Sequence, residues 1–145
     1  LLALAGYLVW HTLPAANLTS AIPGLSAVVE IGLDADGIPL IRAANDADAA
    51  AALGFLHARD RLLQMDLMRR AASGTLSEIA GPATLPSDRL MRTLGLKRAA
   101  EADLAALPAD ARAMLDAYAR GVNAYISLRG RFAGLAVRAC GRPAP

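Results

Sequence analysis

A histidine, a carboxylate and two guanidiniums fall within five residues at His57, Arg59, Asp60 and Arg61. These are the residue types of acid–base catalysis and of substrate anchoring. A histidine works as a general base only with a proton donor in hydrogen-bond reach. No serine or cysteine stands at a motif that would need His57, so it reads as a packed or interfacial histidine. Asp60, flanked by Arg59 and Arg61, could anchor a substrate. Such clusters more often form ion-pair networks that lock one helix onto another, and Asp60 is read that way. Buried pairs of this kind supply specificity more reliably than stability. His11, His57 and Cys140 are too few and too scattered for a zinc site. The residues therefore nominate no catalytic, cofactor-binding or metal-ligating position. Cys140 is the sole cysteine, which excludes an intrachain disulfide.

The elements around these residues are mostly helical. From His57 to Ser73 strong helix formers run without Pro or Gly, and Gly74 offers a left-handed stop. Leu62, Met65 and Met68, with Leu63 and Leu67, predict a broad apolar face turned to a core. Asp66 and Arg70 are one turn apart, a pair worth about 0.2–0.5 kcal/mol if exposed. Upstream, residues 44–58 form an alanine-rich helix, capped by Asn45 or Asp46 and carrying Asp48 near its positive end. Residues 28–43 read as a β-hairpin, with Val28, Val29 and Ile31 before an Asp-Gly turn and Ile38, Leu40 and Ile41 after it. Pro39 fits an edge or strand-start position. Residues 75–81 fit a short helix that Gly81-Pro82 ends. A further helical segment spans 84–98, with Ser87 or Asp88 as its cap, and Gly95 separates it from 96–106. Residues 108–128 form the clearest helix, with a predicted core stripe of Met114, Leu115, Tyr118, Val122, Tyr125 and Ile126. Gly121 lies inside it at a cost of about 1 kcal/mol, which predicts a close helix contact.

An ordered set of residues carries a family resemblance. Asp34, Gly37, Ile38, Pro39 and Ile41 are followed by Asp60, Arg61, Leu62, Gln64 and Met65. Arg69, Arg70, Gly74, Glu78 and Gly81 come next, then Tyr118-Ala119 and Gly121-Val122-Asn123-Ala124. Over about residues 28–127 this resembles the front of the α chain of the penicillin acylase family, amidohydrolases of the N-terminal-nucleophile class. Leu33 and Leu40 stand where the family often has Arg and His. The resemblance implies an α+β fragment, mostly helical with an N-terminal hairpin, within an αββα fold. It implies a precursor that cleaves itself into α and β chains. The nucleophile is then a serine at the β-chain N-terminus, activated by its own α-amino group and served by β-chain oxyanion donors. Its partners are the rest of the α chain, the β chain and a small N-acyl substrate such as a β-lactam side chain or an acyl-homoserine lactone. No cofactor is expected on this chain, although calcium belongs to the complete enzyme. The chain alone is expected to be inactive.

Composition bounds the alternatives. Of 145 residues 55% are hydrophobic but only 4% aromatic, and alanine dominates. Such a core is thin, since burial stabilises by about 25 cal/mol per Å², and the chain is expected to lean on a partner. Arg129, Arg131, Arg138 and Arg142 account for the net charge of +2; without them 11 basic face 13 acidic side chains. No basic stripe with aromatics supports nucleic-acid binding. Residues 1–13 open with an apolar run that reads as a signal or membrane-anchor remnant, for a periplasmic or inner-membrane-anchored protein. Residues 14–27 read as a linker, 28–128 as the acylase-like region, and 129–145 as an atypical tail, either divergent or out of frame. The competing functional class is a membrane-anchored helical binding or adaptor module without catalysis.

Overall fold

The computed structural model describes residues 20–129. The expected anchor at 1–13, His11, the front of the linker, Cys140 and the tail beyond Arg129 lie outside them. The described chain runs β1 (Glu30–Leu33), β2 (Pro39–Arg42), α1 (Asp46–Ser73), α2 (Ser77–Ala80), α3 (Leu85–Leu94), α4 (Leu96–Ala106) and α5 (Ala109–Arg129), with a 3-10 turn at Pro82–Thr84. This is the expected α+β composition, a hairpin followed by helices. No helix among the described residues is long and apolar enough to cross a membrane.

The strands pair antiparallel, with Ile31 opposite Ile41, Gly32 opposite Leu40 and Leu33 opposite Pro39. The Asp34 N–H donates to the Ile38 carbonyl at 3.0 Å and the Gly37 N–H to the Asp34 carbonyl at 3.1 Å. Gly37 sits at φ +78°. This is a three-residue loop closed by a left-handed glycine bulge, the conformation for which Asp36-Gly37 is suited. The Asp34 carboxylate accepts the N–H groups of Asp36 and Ile38, at 3.0 and 2.7 Å, and stiffens the turn. Bonded and non-bonded pairs alternate along such a ladder. Counting from Asp34 and Ile38, the bonded pairs are Gly32 with Leu40 and Glu30 with Arg42. Pro39 therefore lacks its N–H at a position where the ladder needs none.

By their contacts the residues fall into two compact units, 20–60 with 117–129, and 61–116. The division follows a break in α1, where Arg61 leaves helical geometry (φ −146°, ψ 31°). The sequence placed a helix boundary at 57–58, and the interruption lies three residues later. In the first unit, Ala51, Ala52, Phe55, Leu56 and Ala58 of α1 are buried, with Ala117 and Tyr125 of α5. Phe55 and Tyr125 meet edge to face, ring centres 5.4 Å apart, a geometry favoured by the ring quadrupoles. The contact is close because both helices carry a glycine. A Cβ on Gly121 would strike the Ala51 carbonyl, and one on Gly54 would strike the Tyr118 carbonyl. Of the predicted stripe on α5, Tyr125 is buried and Tyr118, Val122 and Ile126 are half-buried, whereas Met114 and Leu115 are about half exposed; the fully buried line is Ala117, Gly121 and Tyr125. At the glycines the helix backbones approach closely, with Ala51 and Ala117 beside them.

The second unit is organised differently. Its buried residues are Asp66, Arg70, Gly74 and Asp88. Leu63, Leu67 and Met68, expected to face a core, are 44%, 37% and 65% exposed. Every residue of α4 is exposed. The alanine-rich composition thus ends in a small apolar core in one unit and a polar centre in the other.

Candidate functional site

The polar residues that could do chemistry fall into three groups, each held by its own geometry. The first surrounds His57 in the first unit. Its Nδ1 is 3.0 Å from the Tyr118 hydroxyl, and the two rings meet at a steep angle, centres 5.8 Å apart. Both side chains are half-buried. The partner is a phenol, not a serine or cysteine, so the pair joins α1 to α5 and activates no nucleophile. Arg59 forks onto the neighbouring Asp60, Nε at 2.6 Å and Nη2 at 3.0 Å. A regular helix points neighbours about 100° apart, and the break at Arg61 follows directly. The expected cluster of three is thus a pair, and it lies within one element rather than between helices.

The second group caps α1. Asp48 accepts the Ser26 N–H at 3.0 Å, the Ser26 hydroxyl at 2.6 Å, the Ala27 N–H at 3.2 Å and the Asn45 amide at 3.0 Å. Asn45 Oδ1 in turn accepts the Asp48 N–H at 2.9 Å, so Asn45 is the cap. The hydrogen bonds from Ser26, ahead of those from Asn45 and Ala27, hold the Asp48 carboxyl below its ordinary value against the opposing effect of burial. The end of the expected linker is thereby fastened to the helix.

The third group is the centre of the second unit. Asp66 accepts Arg70 Nε at 2.8 Å and Arg69 Nη2 at 2.7 Å, and Arg70 Nη1 reaches Glu78 at 3.0 Å. The expected i,i+4 pair of Asp66 and Arg70 forms, and it is buried and tied to α2. Burial would raise the Asp66 carboxyl, but the bonds from Arg70 and then Arg69 outweigh it and hold it low. Ser87 or Asp88 was expected to cap α3, but α3 already begins at Leu85, and Asp88 accepts the N–H groups of Leu76 and Ser77 at 2.9 and 2.8 Å. It thereby caps the start of α2 from a neighbouring helix. Arg92, one turn on, donates Nε to the Gly74 carbonyl at 2.7 Å. Gly74 ends α1 at φ +64°, where an added Cβ would meet the Asp88 backbone. Burial again opposes, and the Ser77 and Leu76 bonds prevail in lowering Asp88.

These are saturated carboxylates, poor bases and poor ligands. No cluster of His, Cys, Asp and Glu among the described residues could hold a metal ion. A shallow groove of about 350 Å³ between Thr75, Met91, Arg92 and Glu101 holds Ser73, whose hydroxyl is spent on the Arg69 carbonyl.

Residues 28–142 match the family model of penicillin amidase. The chain belongs to the penicillin amidase family. Over 115 residues it is 47% identical to a penicillin acylase 2 proenzyme from Pseudomonas sp. strain SE83, covering 79% of this chain and 15% of that protein. Over 132 residues it is 42% identical to the acyl-homoserine lactone acylase QuiP of Pseudomonas aeruginosa, covering 87% of this chain and 16% of QuiP. A thermostable penicillin G acylase from Alcaligenes faecalis superposes with a TM-score of 0.63 at 32% identity, over 70% of this chain and 54% of that one. The chain is thus an α+β fragment of the N-terminal-nucleophile hydrolase fold, spanning about one-seventh of the curated relatives' length.

Within this penicillin amidase segment, the residues that carry the resemblance have structural tasks. Asp34 and Gly37 build the turn, and Gly121 makes the helix contact. Arg70, Gly74 and Glu78 assemble the second unit. Gly54 and the partners of Asp88 were not marked in the sequence. An alanine-rich helix hides a glycine, and nothing local marks a carboxylate that caps a helix eleven residues upstream.

Asp48, Asp66 and Asp88 all sit below the ordinary 3.8. A carboxyl lowered by folding adds stability above its unfolded value, and that stability is lost as pH falls through the folded one. The melting temperature should therefore hold from pH 7 to about 5 and drop as carboxylates protonate below about 4. Asp88→Asn should melt lower at pH 7 and show a shallower acid drop. An acid drop as steep as the parent's would mean that Asp88 contributes none of it.

Proposed function

We propose that this chain is the N-terminal part of the α chain of an exported amidohydrolase that cleaves the linear amide bond of N-acyl compounds. Its substrates are of the class of β-lactam side chains or acyl-homoserine lactones, and its compartment is the periplasm. The nucleophilic serine, its α-amino base and the oxyanion donors belong to a β chain from the same precursor. The amine takes the proton of the hydroxyl, and preorganised donors stabilise the tetrahedral oxyanion. This segment supplies a hairpin and a helical scaffold, and by itself it hydrolyses nothing.

One observation carries the reading. The second unit buries Asp66, Arg70 and Asp88 while Leu63, Met68, Leu90 and Leu94 stay exposed. Large apolar side chains left exposed around a polar centre fit a surface that a partner covers. Family membership and the small share of each relative covered support that partner being the remainder of the precursor.

The test compares the purified 145-residue chain with the complete polypeptide on benzylpenicillin and on N-acyl-homoserine lactones. Primary amine release should appear only with the polypeptide that includes a serine-led chain. Amide hydrolysis by the 145-residue chain alone would overturn the proposal. A stable, monodisperse 145-residue chain that binds no hydrophobic dye would favour the adaptor module instead.

A further inference from the structure

The groove beside Ser73 in the second unit carries more positive charge than its own residues neutralise. Arg92, Lys97 and Arg98 line it, and Glu101 is the one acid among the described residues that do. Lys97 and Glu101 stand 3.8 Å apart and offset each other, which leaves the two arginines. Arg92 donates Nε to the Gly74 carbonyl, and its Nη groups make no bond to the described residues. Asp88, one turn earlier on α3, has both carboxylate oxygens on the N–H groups of Leu76 and Ser77. Arg98 makes no hydrogen bond or ion pair to the described residues.

Two glycines seat these arginines. Gly74 lies at φ +64°, and a Cβ there would fall 2.7 Å from Arg92 Cγ. Gly95 lies at φ +71°, and a Cβ there would fall 2.8 Å from Arg98 Nη2. The missing side chains let Arg92 lie against the end of α1 and Arg98 fold back over the turn between α3 and α4. The bond from Nε holds the Arg92 guanidinium in place without using its Nη groups. The helix gives Arg98 no compensation: it shares the first turn of α4 with Lys97, and that turn has no acid, although helices favour acids there. Two like charges beside one groove also repel, and a bound anion removes that cost.

The chemistry of the anion follows from the donors. Guanidinium groups bind carboxylate and phosphate oxygens through parallel hydrogen bonds. Two guanidiniums without an acid partner match two negative charges, which favours a dianion. The groove, about 350 Å³, is at the small end of small-molecule sites. It has room for a phosphate and a small group esterified to it, with Met91 as an apolar wall. We infer that this groove binds a phosphate monoester dianion between the guanidiniums of Arg92 and Arg98. The exposed leucines of α3 lie elsewhere. Leu90 and Leu94 are each two residues from Arg92, about 160° round the helix at about 100° per residue. A partner over those leucines leaves the groove open.

The test titrates the complete polypeptide with inorganic phosphate and with phenyl phosphate by calorimetry, at constant ionic strength in chloride. Both should bind saturably at one site, and acetate, with a single charge, should bind more weakly. Arg98→Ala should weaken phosphate binding roughly tenfold or more, the usual effect of losing a hydrogen bond to a charged group. Arg98 has no bond within the described chain, so this variant should melt with the parent. Arg98→Lys should restore only part of the affinity, because lysine lacks the planar fork. Arg112→Ala removes an exposed arginine opposite Asp116, outside the groove, and should bind phosphate as the parent does. No binding, equal binding by Arg98→Ala, or acetate binding as tight as phosphate would each overturn the inference. Recruitment to phosphatidylglycerol vesicles without any affinity for the free phosphates would make the groove a membrane contact and overturn it as well. Phosphate binding is read without an amide substrate. A polypeptide that binds phosphate but cleaves no N-acyl compound would therefore overturn the proposed function and leave the groove's role intact.

Discussion

Gly121→Ala should destabilise the complete polypeptide by about 2 kcal/mol, read from urea unfolding, although alanine is the better helix former. Alanine in place of glycine inside a helix returns about 1 kcal/mol. Against that stands an atom placed onto the Ala51 carbonyl and close to the Phe55 nitrogen. Those are backbone atoms of α1, which cannot rotate away as a side-chain tip can. Overpacking that must move a backbone costs about 1–3 kcal/mol, and the rigid neighbours place this site at the upper end. Gly54→Ala should behave alike, because its new Cβ meets the Tyr118 carbonyl from the opposite direction. The double variant should cost less than the sum, because the helices need separating only once and the two positions share one contact. Gly32→Ala is the control: nothing lies within 4 Å of its Cβ, and its change should stay within about 0.5 kcal/mol. A Gly121→Ala variant as stable as that control would mean that α1 and α5 do not touch through their backbones.

How far the sequence foretold this arrangement depends on whether a signal is local. The turn at Asp36-Gly37, the stop at Gly74 and the separation at Gly95 each follow from glycine's tolerance of positive φ, and each was legible. Gly121 was legible because it stands out in a strong helix. Gly54 was not, because among alanines a missing methyl is a small contrast. Spacing showed that Asp66 and Arg70 are neighbours on a helix, but spacing does not say what covers them. The same limit explains Leu63, Leu67 and Met68. Periodicity marks an apolar face, and whether anything within these residues covers it is a tertiary question. Asp88 acts on Leu76 and Ser77 through a fold-back that no window around it contains. The candidate site fared likewise: His57 as a packed histidine agrees with its bond to Tyr118, yet nothing in the sequence paired those two.

The largest effect in the second unit should come from Arg70→Ala, about 2–3 kcal/mol in the same urea measurement. Removing one partner of a buried ion pair typically costs about 3–5 kcal/mol, because the other charge is left without compensation. Asp66 keeps a second, half-exposed partner in Arg69 at 2.7 Å, so the loss is smaller here. Arg70 also carries the link to Glu78, so its loss frees α2 as well. The two contacts leave from different nitrogens, Nε and Nη1, of one planar group. A lysine offers a single ammonium on a flexible stem, so Arg70→Lys should recover only part of the loss. Glu78→Ala tests the outer contact alone and should cost less than about 1 kcal/mol, since Glu78 is 55% exposed. Replacing both buried charges, Asp66→Leu with Arg70→Met, should cost clearly less than Arg70→Ala. Apolar groups of similar volume leave no charge stranded in the centre. If instead Arg70→Ala and Glu78→Ala cost the same, the buried carboxylate does not organise this unit, and the exposed leucines would have to be packing more than their surfaces allow.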